Sequence, residues 1–143
     1  MNNSNTIQFF MAMEPPTVTA QEHKVAVRNG RPMFYDPPEL KAARQKLTDA
    51  LIPRKPPDRL QGPLELIVAW CFPTQDDWKD GMPMTSKPDT DNLNKLLKDC
   101  MTHVGFWEDD AQVCREIIEK FWVKTTPCGI WVSVCPLKSV SNP

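Results

Sequence analysis

Residues 87–113 read KPDTDNLNKLLKDCMTHVGFWEDDAQV, and three carboxylates in this stretch, Asp89, Asp91 and Asp110, are of the type that holds one or two hard divalent cations through oxygen. Asp89 and Asp91 are one residue apart, so an extended approach to a helix turns both to one side. Asp110 follows that helix and is expected to meet them once the chain returns. A cation held there, Mg²⁺ or in its place Mn²⁺, polarises a phosphate, activates water and stabilises charge on a leaving oxygen, which is the chemistry of phosphodiester hydrolysis. Lys95, one turn beyond Asp91, is placed to contact phosphate or offset transition-state charge. Spacing alone leaves a plainer account open: Asp91 caps the helix, Asp89 is solvated, and Glu108, Asp109 and Asp110 form a surface turn.

Other reactive residue types form no comparable pattern. The five Cys (71, 100, 114, 128 and 135) contain no closely spaced pair, and His23 and His103 stand apart. Neither a zinc finger, a disulfide framework nor a Cys–His nucleophile has support. Fifteen Pro and only five Gly imply directed turns without a glycine-rich phosphate loop.

The elements that must position the acidic residues follow from periodicity. Residues 6–13 read as an N-terminal strand closed by Glu14-Pro15-Pro16, and Asn29-Gly30 suits a tight hairpin turn between short strands. Asp36 is expected to cap a first helix over residues 39–51, with Pro37 in its first turn. Its apolar face would be Leu40, Ala43, Leu47, Ala50 and Leu51. Residues 64–72, LELIVAWCF, are nearly continuous in hydrophobicity and predict a buried strand. Residues 73–88 are turn-rich, and Trp78 within them is a candidate exposed contact. A second helix begins near Asp91, buries Leu93, Leu96, Leu97, Cys100, Met101 and Val104, and stops at Gly105. IIEKFWV and GIWVSV predict two C-terminal strands. Trp122 and Trp131 in them are assigned to packing or subunit contact, and of Phe106 and Trp107 at least one is expected to anchor the core.

Together these give one α+β domain over residues 1–143, with a mixed or mainly antiparallel sheet and about two principal helices. A length of 143 residues and 41% hydrophobic content fit that size. Apolar runs fall short of the roughly 18 residues that span a bilayer, and the N-terminus lacks the pattern of a secretory signal, so a soluble intracellular protein without a membrane partner is expected. The formal net charge is only -1, yet residues 21–60 carry nine basic and five acidic side chains, and residues 76–110 four basic and nine acidic. A basic surface beside an acidic centre is compatible with a nucleic-acid partner.

The combination KPDTDNLNKLLKD, a short helix, GFWEDDAQV and a later lysine-bearing strand resembles the RusA-type Holliday-junction resolvases, small phage and bacterial endonucleases. The likeness extends through MAMEPPTVTAQ, RPMFYDPPELKAAR, QGPLEL and EKFWVKTTPCGIWVSV, and so over most of the chain. It implies a metal-dependent endonuclease that nicks four-way or branched DNA as a homodimer, in the cytoplasm of a bacterial host if phage or prophage encoded. Matched residue by residue, it implies catalytic and metal-binding roles for Asp89, Asp91 and Asp110, a catalytic role for Lys95, and a functional lysine at Lys120. Asp109, beside the last match, is a weaker candidate for a ligand. Where some members carry a dense arginine run before the first aspartate, this chain has Thr85-Ser86-Lys87-Pro88. DNA contacts are then expected at Lys87, Lys120, Arg28, Arg31 and Arg44, each of which is otherwise an ordinary surface charge. Two other readings compete: a different branched-DNA metal nuclease, and a noncatalytic nucleic-acid-binding or phage structural protein.

Overall fold

The computed structural model describes residues 6–19, 24–35 and 37–138. Among them are six strands and two α-helices: β1 (Ile7–Ala12), β2 (Lys24–Arg28), β3 (Arg31–Tyr35), α1 (Pro38–Leu51), β4 (Leu64–Pro73), α2 (Thr90–Val104), β5 (Val113–Val123) and β6 (Gly129–Pro136). The α+β class expected from the sequence is the class observed. Strands β1, β6, β4 and β5 form a mixed sheet in that order, and β2 and β3 form a separate hairpin. The hairpin turns through Asn29 (φ 53°) and Gly30 (φ 74°), the paired left-handed conformations that an Asn-Gly turn supplies.

The two C-terminal strands are present, but they are not neighbours. β4 lies between them, antiparallel to β6 and parallel to β5. β4 can take this central place because Leu64, Leu66, Val68 and Trp70 are fully buried on one face, while Glu65, Ile67 and Ala69 alternate to the other. Leu40, Leu47 and Leu51 of α1 and Leu93, Leu96, Leu97 and Met101 of α2 complete that core. Truncating one such leucine to Ala costs about 2–5 kcal/mol in a packed interior.

Helix α1 starts at Pro38, one residue before the expected 39, and its cap position is held by Pro37 in place of Asp36, with Pro38 in the first turn. Asp36 and His23 lie outside the described residues. Both Phe106 and Trp107 are fully buried, so both anchor the core. Gly129 is required by close approach, since a Cβ there would lie 2.3 Å from the Met11 carbonyl oxygen where β1 meets β6. Among the described residues, no helix is long and apolar enough to cross a membrane.

Candidate active site

The acidic segments sit at the two ends of one β-α-β unit. Parallel strands need a crossover, and α2 supplies it between β4 and β5. The helix must therefore run against both strands. Its first turn lies at the C-terminal end of β4 and β5, and its last turn at their N-terminal end. Side-chain bonds fix this alignment. Trp70 Nε1 donates to Asn94 Oδ1 at 2.7 Å, Asn94 Nδ2 donates to Glu116 Oε2 at 2.7 Å, and Lys98 Nζ reaches Glu116 Oε1 at 3.0 Å. Asn94 is 1% exposed, so this chain of bonds satisfies a polar group that would otherwise be costly to bury.

Asp89 occupies the cap position of α2 with extended backbone, and its carbonyl accepts from Leu93 N at 3.0 Å, yet its side chain makes no capping bond. The carboxylate is left exposed, with only Lys87 Nζ at 3.6 Å from Oδ1. Asp91 is exposed in the first helical turn. Two carboxylates thus share the positive end of a helix macrodipole, which offsets part of their mutual repulsion. The segment before them is held from the sheet: Lys120 Nζ, on β5, donates to the carbonyls of Ser86 at 2.8 Å and Pro88 at 2.7 Å, on either side of the cis Lys87-Pro88 peptide. Lys95 lies one turn on, 61% exposed and 3.9 Å from Asp99.

Asp110 is elsewhere. It opens a short 3-10 turn, Asp110–Gln112, that leads into the start of β5 beyond the C-terminal end of α2. Because α2 has 15 residues, about 22 Å of helix separates that end from Asp89 and Asp91. The return of the chain does not carry Asp110 to the other two within one copy. Among the described residues, no three His, Cys, Asp or Glu side chains come together as a metal-binding group. Asp109, the weaker ligand candidate, is used structurally: its Oδ1 accepts from Ala111 N at 2.8 Å, while Gln112 Oε1 accepts from Glu108 N and Asp109 N. This reciprocal capping box fastens the turn and leaves Asp110 outside its bonds.

A family model described as endodeoxyribonuclease RusA matches residues 14–134, which contain both acidic segments, both helices and β4 to β6. The chain belongs to the RusA family. One relative, named crossover junction endodeoxyribonuclease rusA, from Lactococcus phage r1t, is 28% identical over 108 residues, which cover 74% of this chain and 81% of the relative. Another, uncharacterized protein YqaN of Bacillus subtilis (strain 168), is 26% identical over 127 residues, 81% of this chain and 87% of the relative. Membership of the RusA family supports a nuclease-type enzymatic function.

Sequence reasoning missed one residue of this candidate site, Asn94, and named another, Lys120, for a different contact. Asn94 sits inside the DNLNK motif and reads as one more polar helix position, but it is the buried joint between α2 and the sheet. Lys120 was expected to meet DNA or balance carboxylates, whereas its ammonium is spent on the two carbonyls beside Asp89. A lysine alternating into the helix-facing side of a mostly apolar strand was the available signal. Of the other basic candidates, Lys87 is 87% exposed and Arg31 is exposed at the hairpin. Arg28 ends β2 opposite Arg31. Arg44 is partly buried, 3.8 Å from Asp99. Trp78 is 72% exposed, as expected, with Lys79 Nζ 5.2 Å from its ring centre. Burial pushes the Cys71 and Cys100 thiols up, which keeps them protonated at neutral pH and unsuited to nucleophilic work.

Proposed function

We propose that the chain is a divalent-cation-dependent endonuclease that hydrolyses phosphodiesters of four-way or branched DNA, acting as a homodimer. The observation that carries this reading is the pair of exposed carboxylates, Asp89 and Asp91, at the first turn of α2 in a chain of the RusA family, with Asp89 not consumed by capping. Carboxylate oxygens suit Mg²⁺ or Mn²⁺, but one copy brings only two of the three candidate ligands to that end. A complete centre then takes Asp89 and Asp91 from one copy and Asp110 from a second. The bound cation would polarise the scissile phosphate and lower the pKa of an attacking water.

The chain's own residues hold and orient these groups. Lys120 fixes the backbone that presents Asp89, and the Asn94 bonds hold the helix that presents Asp91. Lys95 is only loosely engaged by Asp99 and is available to a phosphate oxygen. Lys87 and Arg31 are exposed for backbone contacts, with Arg28 and Arg44 as further contacts. Two-fold symmetry supplies two such centres, matching paired cuts in a junction. The proposed setting is the cytoplasm of a bacterial host. A cleavage panel of four-way, branched, duplex and single-stranded DNA, with Mg²⁺ and with chelator, tests the reading. Junction cutting that stops in chelator and returns with cation is expected; undiminished cutting in chelator, or no preference for branched substrates, rejects it.

A further inference from the structure

We propose that Trp78 stacks on an unpaired nucleobase where DNA branches beside the cut, and so helps select branched over duplex substrates. The inference deepens the nuclease reading and rests on it. Trp78 lies in the 3-10 turn Asp77–Lys79 between β4 and α2, and it is 72% exposed. Exposure of one ring is ordinary and decides nothing by itself. The way the loop around the ring is fastened does.

The loop is bonded to the end of β5 along its length. Thr74 N donates to Val123 O at 2.9 Å, Gly81 N to Trp122 O at 2.8 Å and Trp122 N to Met82 O at 2.9 Å. Asp76 pairs with Lys79 at 3.4 Å, Asp77 pairs with Lys124 Nζ, and Asp80 accepts from Lys124 N and Thr125 Oγ1. The three carboxylates are thereby committed to holding the loop. Lys79 Nζ lies 5.2 Å from the Trp78 ring centre and 5.1 Å from that of Trp122, so one ammonium links an exposed indole to one packed against the core. The Trp78 ring is fixed without being covered, and a ring ordered before binding gives up little entropy on contact.

Position names the ligand. Lys120 and Trp122 are two residues apart, so both side chains leave the same face of β5, about 7 Å apart along it. Lys120 holds the carbonyls beside Asp89, and Trp122, through Lys79, backs Trp78. One strand thus mounts the carboxylates and the indole as neighbours, on the scale of about two base steps of 3.4 Å. Residues 85–88 add a single basic side chain, Lys87, so charge alone gives this end little grip. Aromatic stacking supplies grip of another kind, and it needs a bare base face. Inside a duplex both faces are covered by neighbouring pairs, whereas a branch leaves a face open.

The test measures binding without divalent cation, so that no strand is cut, to a four-way junction and to a duplex of matched sequence. Trp78→Ala should weaken junction binding about tenfold while duplex binding and the salt dependence stay as in the parent, because stacking releases no counterions. Trp78→Phe should recover most of the loss. Junction affinity unchanged by Trp78→Ala, an equal loss on duplex, or a changed mass of the protein in solution overturns the proposal. Failure of the nuclease reading is separable, because quenching of tryptophan emission by a single-stranded oligonucleotide asks only whether bases stack. The parent should be quenched, and Trp78→Ala should lose most of that quenching. Equal quenching in both overturns the stacking role, whatever DNA the protein cuts.

Discussion

The two acidic segments that α2 joins are alike in composition and opposite in construction. At the far end of the helix, Asp109 and Gln112 bond the turn to itself, and Gln112 Nε2 ties it to the carbonyls of Leu60 and Gly62 at 3.0 Å each. At the near end, Asp89 and Asp91 make no comparable side-chain bonds to their own segment, and its shape is imposed from outside by Lys120. The first is a rigid mount that presents Asp110; the second is a pair of uncommitted carboxylates held in place by the sheet. A count of carboxylates cannot tell these apart. The bonds already made by each side chain can.

The contrast breaks most sharply where the uncommitted carboxylates are removed. Asp89→Asn or Asp91→Asn should lower single-turnover junction cleavage by about a hundredfold or more while junction binding changes little, measured on the same folded preparations. Lys120→Met should lower cleavage by about tenfold to a hundredfold, because it frees the segment before Asp89, yet leave the melting temperature close to the parent. Cleavage unchanged by Lys120→Met would remove the positioning role. Asp109→Ala removes a cap and should cost about 0.5–2 kcal/mol in chemical denaturation, with a smaller loss of cleavage than at Asp89. A loss as large as at Asp89 would make Asp109 a ligand after all.

The smallest effect concerns a third acidic segment, residues 76–80. Asp80 accepts from Lys124 N at 2.8 Å and from Thr125 Oγ1 at 2.8 Å, and the Lys124 backbone bond, first, holds its carboxyl below the usual range. A depressed folded value contributes stability that is present above the unfolded value, near 4, and is lost as pH falls through the folded one. Protection of the Lys124 amide, measured relative to its intrinsic exchange rate, should therefore be lost only under strongly acid conditions. Loss of that protection near neutral pH would show that the loop is held by something else.

Much of this was legible in the sequence, for local reasons. The 3.6-residue spacing of Leu93, Leu96, Leu97, Cys100 and Met101 and the left-handed Gly105 (φ 105°) mark α2 and its end. Asn29-Gly30 marks the hairpin, and the nearly continuous hydrophobicity of residues 64–72 marks β4. Strand neighbours are not a local property: nothing in IIEKFWV or GIWVSV says that β4 comes between them. The direction of β5 relative to β4 is equally silent, and that direction sends Asp110 to the far end of α2. Asn94 was hidden for a related reason, because a polar residue mid-helix reads as exposed until a buried Trp70 is found across from it.

The most direct test of the shared centre mixes Asp91→Asn copies with Asp110→Asn copies after subunit exchange has been verified by mass. Each variant alone should be inactive. If a centre takes Asp89 and Asp91 from one copy and Asp110 from the other, half the dimers in an equal mixture are hybrids with one intact centre of two. Nicking of a four-way junction should then reappear at about a quarter of the parent rate, on one strand per hybrid. A fully exchanged mixture as inactive as either variant alone would contradict the account, because it would place all three carboxylates at work within a single copy.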